Sequence, residues 1–249
     1  MRIEGALQNS YESLSSMQRI NSAADDAAGL AISQNLTAET KGYDKGTDNA
    51  LSMNDLAKTA DGAMSSIHDS LQRMRELAVQ ASNGVLTGDD RKLIQEEIDQ
   101  LKQSIGGVVQ NTQFNTQKLL DGTFKDKNIA MNPSGTGMKM NIQNTGLEAL
   151  GIKDFDVTKD FDIKTLDNAI SQVSDARSQL GATSNRIMHG VSINQISSEN
   201  LTASKSRMVD LDIPKAISQM KTQEILQQYQ YFAQKQAAMQ KSGTLSLLG

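Results

Sequence analysis

Between residues 47 and 81 the apolar or small side chains fall at Met53, Ala57, Ala60, Met64, Ile67, Leu71, Met74, Ala78 and Ala81. The gaps alternate four and three without a miss, which is the seam of a coiled-coil-like helix. At about 1.5 Å per residue the helix would run roughly 50 Å, so it needs long neighbours. Gly84 is a natural stop, and Thr87 with Asp90 has the spacing of a helix start. The next helix carries Ile94, Ile98, Leu101, Ile105 and Val108, and so short a connection makes the two antiparallel neighbours. From Ile163 the helical period returns: Leu166, Val173, Leu180, Ile187, Asn194, Leu201 and Met208 stand at strict sevens. Their companions Ala169, Ala176, Thr183, Gly190 and Ser197 are small, which predicts a helix of about 45 residues with one narrow seam side. Asn194 is expected to be buried in that seam as a register device.

The flanking segments are weaker. Ile3, Leu7, Tyr11, Leu14 and Met17 predict one short amphipathic helix. In RINSAADDAAGLAIS, Asn21 or Ser22 is the expected N-cap, and Asp25 and Asp26 suit the positive helix end. The small residues Ala23, Ala24, Ala27, Ala28 and Gly29 mark either a plain helix start or a joint where another backbone approaches closely. After Ala31 the pattern loosens at Gly42 and Gly46. From about Asn115 the period changes to alternation around Asn132-Pro133-Ser134-Gly135, with Ile129 and Met131 before the turn and Met138, Met140 and Ile142 after it. This predicts a β-hairpin. SGTG lacks the following G-K-[ST] of a phosphate loop and reads as turn. Asp212 is expected to cap a last helix over 213–241, with Pro214 in its first turn. Ile217, Met220, Ile225, Leu226, Tyr229, Phe232, Ala233 and Met239 are spread around that helix among eight glutamines, so several partners must cover it. The predicted fold is mainly α: an elongated antiparallel long-helix bundle, coiled-coil-like, with a small β-hairpin region at about 115–160.

Composition narrows the function. Of 249 residues only 4% are aromatic and two are proline, which fits thin helix-on-helix packing with few interruptions. A net charge of −4 with interspersed signs gives no basic footprint for nucleic acid. No apolar run of about 18 residues predicts membrane insertion. The first residues lack an apolar secretory core, so export, if it occurs, is expected by another route. Without cysteine there is no thiol chemistry. His68 and His189 lack ligand-like neighbours, no G-x-S-x-G elbow occurs, and Glu96, Glu97, Asp89 and Asp90 read as solvated or capping carboxylates. No catalytic residue, metal or cofactor is expected. Arg73, Leu77 and Gln80 form a stripe beside the seam, with Glu97 expected near the same surface. A semi-exposed Leu between Arg and Gln is either a protein contact or a helix edge covered by a neighbour.

Four blocks resemble bacterial flagellin: RINSAADDAAGLAIS, LQRMRELAVQASNG at 71–84, SENLTASKSRMVDLDI at 198–213 and the terminal LSLL at 245–248. The resemblance implies a structural subunit of the flagellar filament. Residues 1–20 and 212–249 would form an inner terminal helical region, and 21–211 a helical rod domain. It implies unfolded export through the flagellar type III apparatus, addition under a filament cap, and an export chaperone on the C-terminal helix. Polymerisation and chaperone binding would use Ile217, Met220, Ile225, Leu226, Tyr229, Phe232, Met239, Leu245, Leu247 and Leu248. Toll-like receptor 5 would recognise the free monomer through Gln72, Arg73, Leu77, Gln80 and Glu97. Two departures from the family pattern are expected: no bulky outer domains, and a shorter N-terminal arm. The alternative role is a flagellin-related minor or junction component, or a weakly polymerising secreted interaction protein.

Overall fold

The structure is a computed structural model that describes residues 2–246, with side chains at residue 5 and residues 7–240. Among the described residues there are five helices: α1 (Arg2–Ser16), α2 (Ala23–Ala81), α3 (Gly88–Asn111), α4 (Lys164–Val209) and α5 (Ile213–Ser246). Four short strands, β1 (Gln113–Phe114), β2 (Gln117–Lys118), β3 (Lys127–Ala130) and β4 (Gly137–Met140), lie between α3 and α4. The chain divides into two units, Met1–Thr40 with Ser198–Gly249, and Lys41–Ser197. The first takes in the opening of α2 and the close of α4. Among the described residues no helix is long and apolar enough to cross a membrane.

In the Lys41–Ser197 unit, α2, α3 and α4 pack around one core that runs from Ala50 to Val191. Arg75 pairs with Asp167, Arg177 with Asp61, and Ser184 with Asn54. Rising numbers on one helix meet falling numbers on the other, so α2 and α4 are antiparallel. The expected seam of α2 is buried from Ala57 to Ala81, but its lower end is corrected. Asn54 and Ala50 continue the seam, while Met53 is half-buried at its edge. The Asn54 carboxamide is held by the Ser184 hydroxyl at 2.5 Å, which makes burial of a polar group tolerable. α3 starts as expected: the Thr87 hydroxyl accepts the Asp90 amide at 3.3 Å and Asp90 Oδ2 accepts the Thr87 amide at 2.9 Å.

The hairpin forms with Ile129 opposite Met138, and Ile129, Met131, Met140 and Ile142 are buried. Gly42 and Gly46, which weaken the sequence pattern, sit inside unbroken α2 because the hairpin turn lies against them. A Cβ at Gly42 would stand 2.6 Å from Pro133 Cβ, and one at Gly46 only 1.9 Å from the Met131 carbonyl oxygen. The same carbonyl accepts Asn194 Nδ2 at 2.9 Å. Asn194 is therefore a hairpin anchor rather than a helix-register device, because the group opposite it is a strand carbonyl. The β1–β2 pair was not expected; two residues per strand leave no alternation to read.

In the other unit, α1 and α5 pair through Ser10 with Gln223 and Tyr11 with Glu224, each at 3.0 Å. Their connections are tied by the Arg19 amide to the Val209 carbonyl at 2.7 Å and the Leu211 amide to the Met17 carbonyl at 3.1 Å. Asp26 adopts extended φ −163°, ψ 95°, and its Oδ1 accepts the Gly29 amide at 2.8 Å. It is the N-cap of the continuous helix, which corrects the expected cap at Asn21 or Ser22. Asp25 Oδ2 takes the Ser22 and Asn21 amides instead and closes a turn ahead of the helix. Of the small residues there, Gly29 is buried, and a Cβ on it would stand 2.7 Å from Ile20 Cδ1. Ala23, Ala24, Ala27 and Ala28 are exposed.

Candidate functional site

Two helix faces carry the side chains singled out by sequence. The first lies across α2 and α3, which the connection over 82–87 joins. Arg73 on α2 reaches Glu97 on α3, with Nε at 2.9 Å and Nη2 at 2.8 Å from one carboxylate oxygen. Its Nη1 donates to Glu76 at 3.0 Å. The bond to Glu97 first, then that to Glu76, raises the guanidinium above its ordinary range. Both partners remain half in solvent, so the pair orients charge more than it stabilises the fold. Gln72 and Gln80 are exposed beside it, and the Gln72 amide nitrogen lies 2.8 Å from His68 Nε2.

Leu77 does not belong to that surface. It is 2% exposed and part of the core, so of the two readings the structure favours the one covered by neighbouring helices over the semi-exposed contact. The physical reason is that α2 packs against two helices, so a seam wider than a single stripe buries both Leu77 and Ala78. Leu93, one turn before Glu97 on α3, is exposed, as are Val79 on α2 and Val85 in the connection. None of them was singled out from the sequence. Leu93 does fall outside the Ile94–Ile98–Leu101 seam, and that offset was the available signal.

The second face is α5. Ile217, Ile225, Leu226, Tyr229, Phe232 and Met239 are exposed, with Tyr229 at 72% and Phe232 at 62%, and Met220 is half-buried. Every described side chain from Tyr231 to Gln240 is exposed. Ser10 and Tyr11 of α1 meet α5 at Gln223 and Glu224, and Lys221 also holds Glu224 at 2.8 Å. That lysine, then the Tyr11 hydroxyl, keeps the Glu224 carboxyl below its usual range. Leu245 lies on the α5 backbone with its side chain outside the described residues, and Leu247 and Leu248 lie outside them altogether.

Comparison with known proteins decides the family. Residues 2–125 match the bacterial flagellin N-terminal helical region, and residues 163–248 match the bacterial flagellin C-terminal helical region. The chain is 38% identical to flagellin of Bacillus subtilis strain 168, covering 98% of this chain and 93% of that protein. It belongs to the bacterial flagellin family. Flagellin of Halalkalibacterium halodurans is also 38% identical, with 97% of this chain and 91% of that one covered. The crystal structure of Bacillus cereus flagellin superposes with a TM-score of 0.53 at 32% identity, over 59% of this chain and 88% of that one. As a flagellin, the chain is a structural subunit of the flagellar filament and not an enzyme, and flagellins assemble with copies of themselves. The filament is an extracellular appendage. As a short form, this flagellin has only the two strand pairs among the described residues between α3 and α4.

Proposed function

We propose that this flagellin polymerises by burying the apolar side chains of α5 against neighbouring copies, and that the same helix is held by an export chaperone beforehand. The observation that carries the reading is the exposed set Ile217, Ile225, Leu226, Tyr229, Phe232 and Met239. Exposed Tyr and Phe on one helix are costly to leave in water, and covering them supplies the driving force for association. The resemblance adds Leu245, Leu247 and Leu248 to the polymerising set. The subunit is secreted unfolded through the flagellar type III apparatus and added beneath a filament cap. The test is sedimentation after seeding, with wild type compared to Tyr229→Ser combined with Phe232→Ser, and Leu93→Ser as control. Wild type and the Leu93 variant pellet; the α5 variant stays in the supernatant with unchanged helicity. Equal pelleting of the α5 variant removes the reading, and a wild type that remains monomeric supports the minor-component role instead.

The free monomer is recognised by toll-like receptor 5 through Gln72, Arg73, Gln80 and Glu97, with Leu77 supporting the face from beneath. The guanidinium held between Glu97 and Glu76 is pre-organised, which suits Arg as a central contact. Arg73→Ala lowers receptor affinity by about tenfold or more, the size expected for a hot-spot arginine. Arg75→Ala, which loses only the pair with Asp167, leaves it unchanged. Leu77→Ala is no test of contact, since deleting a buried Leu costs about 2–5 kcal/mol of stability. Equal affinity of the Arg73 variant and wild type in a direct binding assay argues against this face.

A further inference from the structure

Asn83-Gly84 is the single Asn-Gly pair in the sequence, and it stands in the exposed connection between α2 and α3. The local bonds leave one backbone group idle. The Ser82 amide donates to the Ala78 carbonyl, the Asn83 amide to Gln80, and the Leu86 amide to the Asn83 carbonyl at 3.2 Å. Asn83 Oδ1 accepts the Val85 amide at 3.2 Å, which curls the carboxamide back over the chain past residue 84. The Gly84 amide has no hydrogen-bond partner among the described residues. A Cβ at Gly84 would meet nothing within 4 Å, and its φ lies outside the left-handed range. A nitrogen that is unshielded by a side chain, unbonded and next to an Asn carboxamide is a nucleophile in position.

We propose that Asn83 is a site of spontaneous deamidation, closed by the Gly84 amide without an enzyme. The Gly84 nitrogen gives its proton to a solvent base and attacks Asn83 Cγ. The new C–N bond forms a five-membered imide, the Cγ–Nδ2 bond breaks, and Nδ2 takes up a proton and leaves as ammonia. Solvent water then opens the ring at either carbonyl. Opening at Cγ gives aspartate; opening at the former main-chain carbonyl gives isoaspartate, with the chain rerouted through Cβ and Cγ. No electrons change hands, and water is the only co-reactant.

The other loop asparagines lack this arrangement. Asn21 precedes Ser22, whose amide is bonded to the Asp25 carboxylate at 2.9 Å, and Asn132 precedes Pro133, which has no amide proton. Asn144 precedes Thr145, whose amide is bonded to the Leu120 carbonyl at 3.0 Å, and Asn141 precedes Ile142, bonded to the Phe124 carbonyl at 3.0 Å. Asn115 precedes a β-branched threonine that crowds the nitrogen. Two consequences follow at Asn83. The product places a negative charge at the carboxyl end of α2, where the helix dipole opposes it. In isoaspartate the acceptor of the Leu86 amide becomes a free carboxylate on a lengthened chain, which loosens the joint four residues from the α3 cap at Thr87.

The experiment ages the purified full-length chain in mildly alkaline buffer and maps its peptides by mass and by isoaspartate-specific carboxyl methylation. The peptide holding Asn83 gains the mass of an amide-to-acid exchange and splits into two isomers. Peptides holding Asn115 and Asn144 stay unchanged over the same period. Gly84→Ala, for which the structure has room, retains its helicity and loses the isoaspartate signal. An unmodified Asn83 peptide, modification no faster than at Asn115 or Asn144, or an equal rate in Gly84→Ala would each overturn the proposal.

Discussion

Residue 46 shows how a single missing side chain joins two elements. In a helix interior glycine costs about 1 kcal/mol relative to alanine, so Gly42 and Gly46 read in the sequence as weak points. In the structure they are the reason the hairpin turn can lie on α2 at all. Gly46→Ala would push the Met131 carbonyl away, and that carbonyl is the partner of Asn194, which is 3% exposed. Overpacking against backbone costs about 1–3 kcal/mol, and a buried amide left unpaired about as much again. The variant is expected to lose at least about 2 kcal/mol in denaturant unfolding, whereas Gly62→Ala, with open space at its Cβ, gains slightly from helix propensity. Equal stability of the Gly46 variant and wild type would show that the turn is not docked there. None of this could be read from the chain, because close backbone approach leaves the same mark as a breaker. Leu77 is the converse. A stripe of 3.6-residue period fixes one buried line, but how far burial spreads from it depends on how many neighbours arrive.

At the scale of elements the sequence was more legible. Regular gaps of three and four placed α2, α3 and α4 because each needs a continuous apolar line against its neighbours. Burial follows those lines in the middle of each helix, while Leu101, Val108, Leu201 and Met208 are half-buried and Val109 takes the last buried place on α3. Alternation placed the hairpin, since Ile129 and Met140 must reach one face. Thr87 and Asp90 were legible because a capping box is local chemistry within four residues. The start of α2 was misplaced for the same reason: Ser22 with Asp25 has the right spacing too, and only the extended conformation at Asp26 tells which carboxylate caps the continuous helix. The candidate faces were legible in part. Arg73 and Glu97 could be matched across antiparallel helices, but Leu93 and Val85 were passed over because one exposed apolar residue is ordinary on any surface.

On the scale of the whole molecule, the two units differ in how much they bury. The Lys41–Ser197 unit holds a continuous core that includes Met64, Ile67, Leu71, Met74, Val173 and Leu180. In the other unit the buried side chains among the described residues are Ile20, Ser33 and Val209, none of them on α5. Beyond its pairing with α1 at Gln223 and Glu224, α5 buries no described side chain fully, and helices with so little cover are marginal in water. Its order must come from what covers it, which is why assembly and folding of α5 are one event in this reading. In the free monomer, amides over 217–239 are expected to exchange within the dead time of a hydrogen-exchange experiment, while those over 64–81 and 166–187 stay protected. In sedimented filaments the 217–239 amides become protected as well. Strong protection of α5 in the monomer would mean that the helix is stable alone, and the exposed Tyr229 and Phe232 would then need a purpose other than assembly.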